Sequence, residues 1–224
     1  GGPLATGASD GIVRLWDAET GKHQKNLVGP GSSVYGLAWS PDGSVLASSG
    51  SWDGTVRIWN PKTGMTLRTL SKHKGYTSRL AWSPDGKILA VTGGSSGFTT
   101  FWDAAASKQL ETVEHGNPVT SIDWSADGKY VACGTTTAAF LWNGETYANI
   151  ATLKQEGNTV YAVSISPDSK TLITGGAKTC QVWNLEDQKL RDTLRVDTYA
   201  PAFSPDGNRF ATAPNRGNSQ FWDG

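Results

Sequence analysis

Acids, histidines and thiols are the side chains that could do chemistry in this chain, and their spacing limits which chemistry. The histidines are His23, His73 and His115; none lies in a His-Glu-x-x-His pair, and neither a Walker loop nor a Gly-x-Ser-x-Gly elbow occurs. His73 and His115 fall at equivalent places about forty residues apart, but two imidazoles with no cysteine beside them fall short of the three or four ligands that zinc requires. Aspartates come as a series, Asp42, Asp85, Asp127, Asp168 and Asp206, each two residues after a serine. Paired carboxylates can act as acid and base on a glycoside. An aspartate that returns in every turn is instead accounted for by capping its own backbone. Cys133 and Cys180 make no disulfide framework and read as free thiols of a reducing compartment. The expectation is therefore no catalytic centre, no metal and no cofactor: not an enzyme.

The elements that carry these residues are repeats. Ser40-Pro41-Asp42-Gly43 returns as Ser83 to Gly86, Ser125-Ala126-Asp127-Gly128, Ser166-Pro167-Asp168-Ser169 and Ser204 to Gly207, with spacings of 43, 42, 41 and 38. A second marker, Trp followed by Asp or Asn, falls at Trp16, Trp59, Trp102, Trp142, Trp183 and Trp222, with spacings of 43, 43, 40, 41 and 39. Two independent markers on one period of about forty define a unit of four short strands. Within a unit, Val34 to Ser40 alternates and ends in a Pro-Asp-Gly turn, and Ser44 to Gly50 is small and apolar. Asp53-Gly54 is a tight-turn dipeptide, Thr55 to Trp59 alternates again, and Met65 to Leu70 supplies the last strand. No window carries a capped 3.6-residue stripe, so no helix is expected and the fold class is all-β.

Composition removes two classes of function. The 20 Lys and Arg balance the 20 Asp and Glu, so the excess of cations needed to displace phosphate counterions is absent and no direct nucleic-acid partner is expected. The Lys72-His73-Lys74 cluster with Arg79 reads as a solvated loop. No apolar run reaches the 18 residues of a membrane helix, and no Asn-x-Ser/Thr acceptor marks a secreted surface. The opening Gly1-Gly2-Pro3 is expected of a piece of a longer protein.

Ser-Pro-Asp-Gly, a small-residue strand, and then Asp-Gly-Thr-Val-Arg-Ile-Trp resemble the WD-repeat β-propellers, over essentially all 224 residues. The resemblance implies blades of four antiparallel strands, a (innermost) to d (outermost). The units are expected at 1–28 (strands b to d), 29–71, 72–114, 115–154, 155–195 and 196–224 (strands a to c), in one incomplete propeller domain. That is about five and a half repeats and 22 strands, where a seven-bladed ring needs 28; an irregular six-bladed closure would leave open edges. The repeating tryptophans Trp16, Trp59, Trp102, Trp142, Trp183 and Trp222 are expected in the structural core, each burying about 150–250 Å².

The family also implies a tetrad in each blade: the strand-c Trp, a strand-b Ser or Thr, a His before strand a and an Asp in the b–c turn. Only Asp10 and Asp53 match the Asp, and Ser96, Thr136, Ala177 or Lys178, and Arg216 stand elsewhere. Only His73 and His115 match the His, against Pro30 and Glu156. No blade is expected to complete the tetrad. On strand a, where small residues crowd the axis, Arg79 and Asp123 intrude in adjacent units. An inter-blade ion pair between them is expected, because an unpaired charge there is costly; the alternative leaves Arg79 in a wet channel.

In propellers of this kind partners dock on the top face, around the start of strand a and before the b–c turn. The matching slots hold Ser33, Tyr76, Pro118, Thr159 and Asp197; Tyr35, Ser78, Thr120, Tyr161 and Tyr199; and Ser9, Trp52, Ser95, Thr135, Ala177 and Asn215. Five of these sixteen are aromatic where a 10% aromatic composition would place one or two, so Tyr35, Trp52, Tyr76, Tyr161 and Tyr199 are the candidate partner-binding residues. Repeat-consensus packing along the channel is the competing account of the three tyrosines that share a slot. The resemblance implies a non-enzymatic scaffold binding a peptide or protein loop, within a hetero-oligomeric assembly in the cytoplasm. The alternatives are a channel enzyme or small-ligand binder, for which only Asp123 and Arg79 offer charge, and a subunit associated with nucleic acid.

Overall fold

A computed structural model describes residues 2–29, 33–50, 54–70, 75, 77–157, 159–214 and 217–223. Among them are 22 strands and no helix, arranged as six antiparallel meanders. The first sheet holds β1 (Leu4–Gly7), β2 (Ile12–Trp16) and β3 (His23–Val28). The second holds β4 (Val34–Trp39), β5 (Leu46–Gly50), β6 (Val56–Trp59) and β7 (Thr66–Leu70). The third holds β8 (Thr77–Trp82), β9 (Ile88–Gly93), β10 (Phe98–Asp103) and β11 (Lys108–Glu114). The fourth holds β12 (Val119–Trp124), β13 (Tyr130–Thr135), β14 (Ala139–Asn143) and β15 (Asn149–Leu153). The fifth holds β16 (Ala162–Ile165), β17 (Thr171–Gly175), β18 (Cys180–Asn184) and β19 (Leu190–Leu194), and the sixth β20 (Ala202–Phe203), β21 (Arg209–Thr212) and β22 (Gln220–Asp223).

Both sequence markers are turn devices. In each Ser-x-Asp turn the serine hydroxyl donates to the aspartate, from 2.5 Å at Ser204–Asp206 to 2.7 Å at Ser83–Asp85. The same aspartate accepts the backbone N–H two residues on, from Ser44 to Asn208. The serine oxygen in turn accepts the N–H that opens the next strand. Ser169 stands at φ 61° where the other four turns have glycine, a left-handed conformation that costs a residue with a Cβ about 1 kcal/mol. After the first five strand-c tryptophans, Asp17, Asn60, Asp103, Asn143 or Asn184 accepts N–H from the next turn.

The chain packs as two compact units, Gly1–Gly116 and Asn117–Gly224. In the first, Val13, Leu15, Leu27, Leu46 and Trp59 join the first sheet to the second, and Ile58, Leu70, Trp82, Leu89 and Trp102 join the second to the third. In the second, Leu141, Leu153, Val163, Leu172 and Trp183 join the fourth sheet to the fifth, and Ile173, Cys180 and Phe210 join the fifth to the sixth. Strands covered on both faces lose the alternation of a half-buried strand: β5 and β6 are buried throughout, whereas the outer strand β7 is exposed at four of five positions. Trp59, Trp102 and Trp183 are buried between sheets and Trp142 is buried as well; Trp16 and Trp222, in the two three-stranded sheets, are half-buried.

Two bulges recur and neither leaves a mark in composition. On the outer strand, one residue opposite the tryptophan is skipped in the pairing: Gln24, Leu67, Leu110, Ile150 and Arg191 in the first five sheets. On strand a, the pairing skips Tyr35, Ser78 and Thr120 in the second, third and fourth sheets.

Candidate functional site

The acids that could have formed a catalytic pair are committed to their turns. The Ser40 hydroxyl and the Ser44 backbone and hydroxyl hold the Asp42 carboxyl down at about 2, and the matching serines lower Asp85, Asp168 and Asp206. Among the described residues no three His, Cys, Asp or Glu converge as metal ligands do. His23 is exposed, bonded to Asn26 at 2.7 Å with its ring edge-on to Trp16. His73 lies outside the described residues, as does the whole Lys72-His73-Lys74 cluster.

The polar network around the strand-c tryptophans departs from the expected residues. The Trp Nε1 donates to the strand-b hydroxyl in four sheets: Trp16 to Thr6 and Trp59 to Ser48, both at 2.8 Å, Trp183 to Thr174 at 3.0 Å and Trp222 to Thr212 at 3.1 Å. Pairing register puts Val91 and Cys133 at the corresponding places of the third and fourth sheets.

The fifth sheet closes a comparable network with neither the histidine nor the aspartate of the tetrad. Thr174 Oγ1 donates on to Gln155 Oε1 at 2.5 Å, and Gln155 Nε2 donates to Thr179 Oγ1 at 2.9 Å and to the Thr179 carbonyl at 3.0 Å. Gln155 fills the histidine's role and Thr179 the aspartate's, so a neutral chain of four side chains satisfies its buried polar atoms. Glu156, assigned by spacing to the histidine position, instead pairs with Arg195 at 2.7 Å on the surface. Asp10 is likewise no tetrad member: it holds Arg14 at 2.6 Å and accepts the Ile12 N–H. Asp53 lies outside the described residues. His115 turns to the sheet before it, its Nε2 against Thr99 Oγ1 at 2.9 Å, and burial pushes its pKa down to about 4.

Arg79 and Asp123 fall in different units. Within its own unit, Asp123 accepts the Ile165 N–H at 2.8 Å and the Trp124 N–H at 2.9 Å, one on each oxygen. The residue keeps some surface open while its carboxylate is enclosed, and this burial raises its pKa to about 6. Ser121 Oγ accepts the Val163 N–H at 3.1 Å in the same way, so β12 side chains satisfy the inner edge of β16. Gly36 shows why strand a is built of small residues: a Cβ there would stand 2.6 Å from the Ser78 carbonyl oxygen.

Of the candidate partner-binding residues, Trp52 and Tyr76 lie outside the described residues. Tyr35 is the bulged residue of β4 and is 56% exposed; the extra residue re-aims it off the pleat. Tyr161 and Tyr199 stack face to face in the second unit, with centroids 4.2 Å apart and planes 9° from parallel. Tyr199 is 37% exposed, and the neighbouring Tyr161 hydroxyl raises its pKa. Two features were not singled out as sites from sequence. Gln155 sits one residue off the aligned histidine, in a segment whose sequence also holds the carboxamide of Asn158, so residue type alone did not single it out. Asp197 stands two residues before Tyr199 in the segment between β19 and β20, with the intervening Thr198 fully buried.

A family model described as the IFT122 first β-propeller matches residues 1–224. Protein groucho of Drosophila melanogaster is 28% identical over 128 residues, which cover 52% of this chain and 18% of that protein. Protein hir1 of Schizosaccharomyces pombe is 28% identical over 115 residues, 46% of this chain and 12% of that protein. Coronin-7 of Bos taurus is 47% identical over 45 residues, 20% of this chain and 5% of that protein. The chain therefore spans less than a fifth of the length of these curated relatives.

Proposed function

This chain belongs to the family of the IFT122 first β-propeller, a WD-repeat family, and on that premise we propose that it is a non-enzymatic scaffold gripping a peptide or protein loop with aromatic residues at the start of strand a. In this reading it works in the cytoplasm as part of a larger hetero-oligomeric assembly. The observation that carries the reading is the Tyr161–Tyr199 stack: two rings held parallel, with one partly open to solvent. A stacked pair is already ordered, so little side-chain entropy remains to be lost when a partner covers it. Tyr35, lifted out by its bulge, offers the first unit a surface of the same kind. Trp52 and Tyr76 join this proposal on sequence alone. The competing channel chemistry is disfavoured because both oxygens of Asp123 already accept backbone N–H groups.

The test compares proteins retained by the immobilised chain with those retained by Tyr35→Ser, Trp52→Ala, Tyr76→Ser and Tyr161→Ser/Tyr199→Ser variants of unchanged thermal stability. A hot-spot aromatic contributes about 2 kcal/mol, so loss of about 30-fold in affinity is expected for at least the double variant. Retention of the same partners at the same affinity by all four variants would overturn the proposal.

A further inference from the structure

Asp197, two residues before Tyr199, lines a cavity of about 330 Å³ together with Thr212, Pro214, Asn218 and Gln220. Its size lies at the small end of ligand sites and suits one long side chain. Asp197 Oδ1 lies out of reach of solvent and has no hydrogen-bond partner among the described residues. A buried carboxylate oxygen without a donor is costly, so this position is set for a donor that arrives from elsewhere. The cation nearest in sequence, Arg195, is committed to Glu156, and no described residue of the cavity wall is basic. Asp197 also acts electrostatically on Tyr199, which puts the carboxylate within range of the exposed ring.

We infer that this cavity is a subsite for a basic side chain, Lys or Arg, of a peptide segment docking on the tyrosine stack. The inference rests on the scaffold reading above and names the chemistry of what that surface takes. An alkyl stem lies along Pro214, the cationic head meets the Asp197 carboxylate, and Asn218 and Gln220 supply neutral acceptors at the rim. The face of an aromatic ring attracts the same charge, so ring and carboxylate act together on one group.

The experiment is selection of a randomised peptide library, displayed on phage, against the whole 224-residue chain and, in parallel, against Asp197→Asn and Tyr199→Ser. Peptides that need Tyr199 should share a Lys or Arg at one position, and synthetic versions with citrulline or norleucine there should bind about tenfold more weakly or worse. Asp197→Asn should remove that discrimination; if this variant fails to fold, the citrulline exchange on the unaltered chain carries the test. Tyr199-dependent peptides indifferent to the citrulline exchange would overturn the inference and leave the aromatic surface standing. Discrimination seen only in an Arg216→Gln variant would also overturn it, because the chain would then be serving its own carboxylate. Absence of any Tyr199-dependent peptide would overturn both the inference and the scaffold reading on which it rests.

Discussion

At equivalent loops before strand a, the two compact units bury polar side chains of opposite character. In the first, His115 is 7% exposed against Thr99, an ionisable group kept neutral by its surroundings. In the second, Gln155 does comparable work with a carboxamide that has no proton to gain, joined through Thr174 to Trp183 on one side and directly to Thr179 on the other. The difference teaches that the position demands a donor and an acceptor at set distances, not a particular residue. The choice of residue decides whether stability is tied to pH.

Breaking the neutral network should have the largest effect. Thr174→Val removes the hydroxyl between Trp183 and Gln155 and leaves an N–H and a carbonyl buried without partners. A cost of about 4 kcal/mol follows, read as a fall in the denaturation midpoint with no pH dependence of its own. Next comes acid. The pKa of His115 is lowered to about 4 in the folded chain from an ordinary value near 6.5, so the unfolded chain binds the proton more readily. Stability is complete above about pH 6.5 and falls by about 3 kcal/mol toward pH 4, and His115→Gln should flatten that slope in urea titrations.

Asp123 sharpens the contrast with the opposite sign. Its pKa rises from 3.8 to about 6, so the folded chain holds the proton more tightly and stability declines as pH climbs from about 4 to 6. Its open surface moderates the effect to about 2 kcal/mol. The two slopes oppose each other in the intact chain, and Asp123→Asn should unmask the full acid sensitivity of His115. Smallest is Arg14→Ala: the Asp10–Arg14 pair is open to solvent, and no change in melting temperature is expected. A clear drop would restore Asp10 to a structural role.

The strands were legible because their markers are local. Ser83 and Asp85, or Asn184 and the two N–H groups it caps, meet within a few residues, so residue type and spacing alone specify the turn. The Gln155 network was not legible because its partners are 19 and 24 residues away. Over such a distance a side chain one position along can reach the same atom, and alignment by spacing chose Glu156. The bulge at Tyr35 escaped for a different reason: inserting one residue changes where a side chain points without changing which residues are present. The unpartnered oxygen of Asp197 depends on what stands around it, which no local pattern records.

The five self-capped Ser-x-Asp turns also bear on how the chain comes to be built. Each joins strands adjacent in sequence, so the loop to be closed is short and its hairpin can form in about 1–10 μs. A ribosome adds about 5–20 residues each second, so a repeat of about forty residues takes roughly two to eight seconds to emerge. Every meander therefore has time to pair its strands before the next is complete. Synthesis can deliver the sheets as a series of finished parts, and the slow step left is stacking one against another.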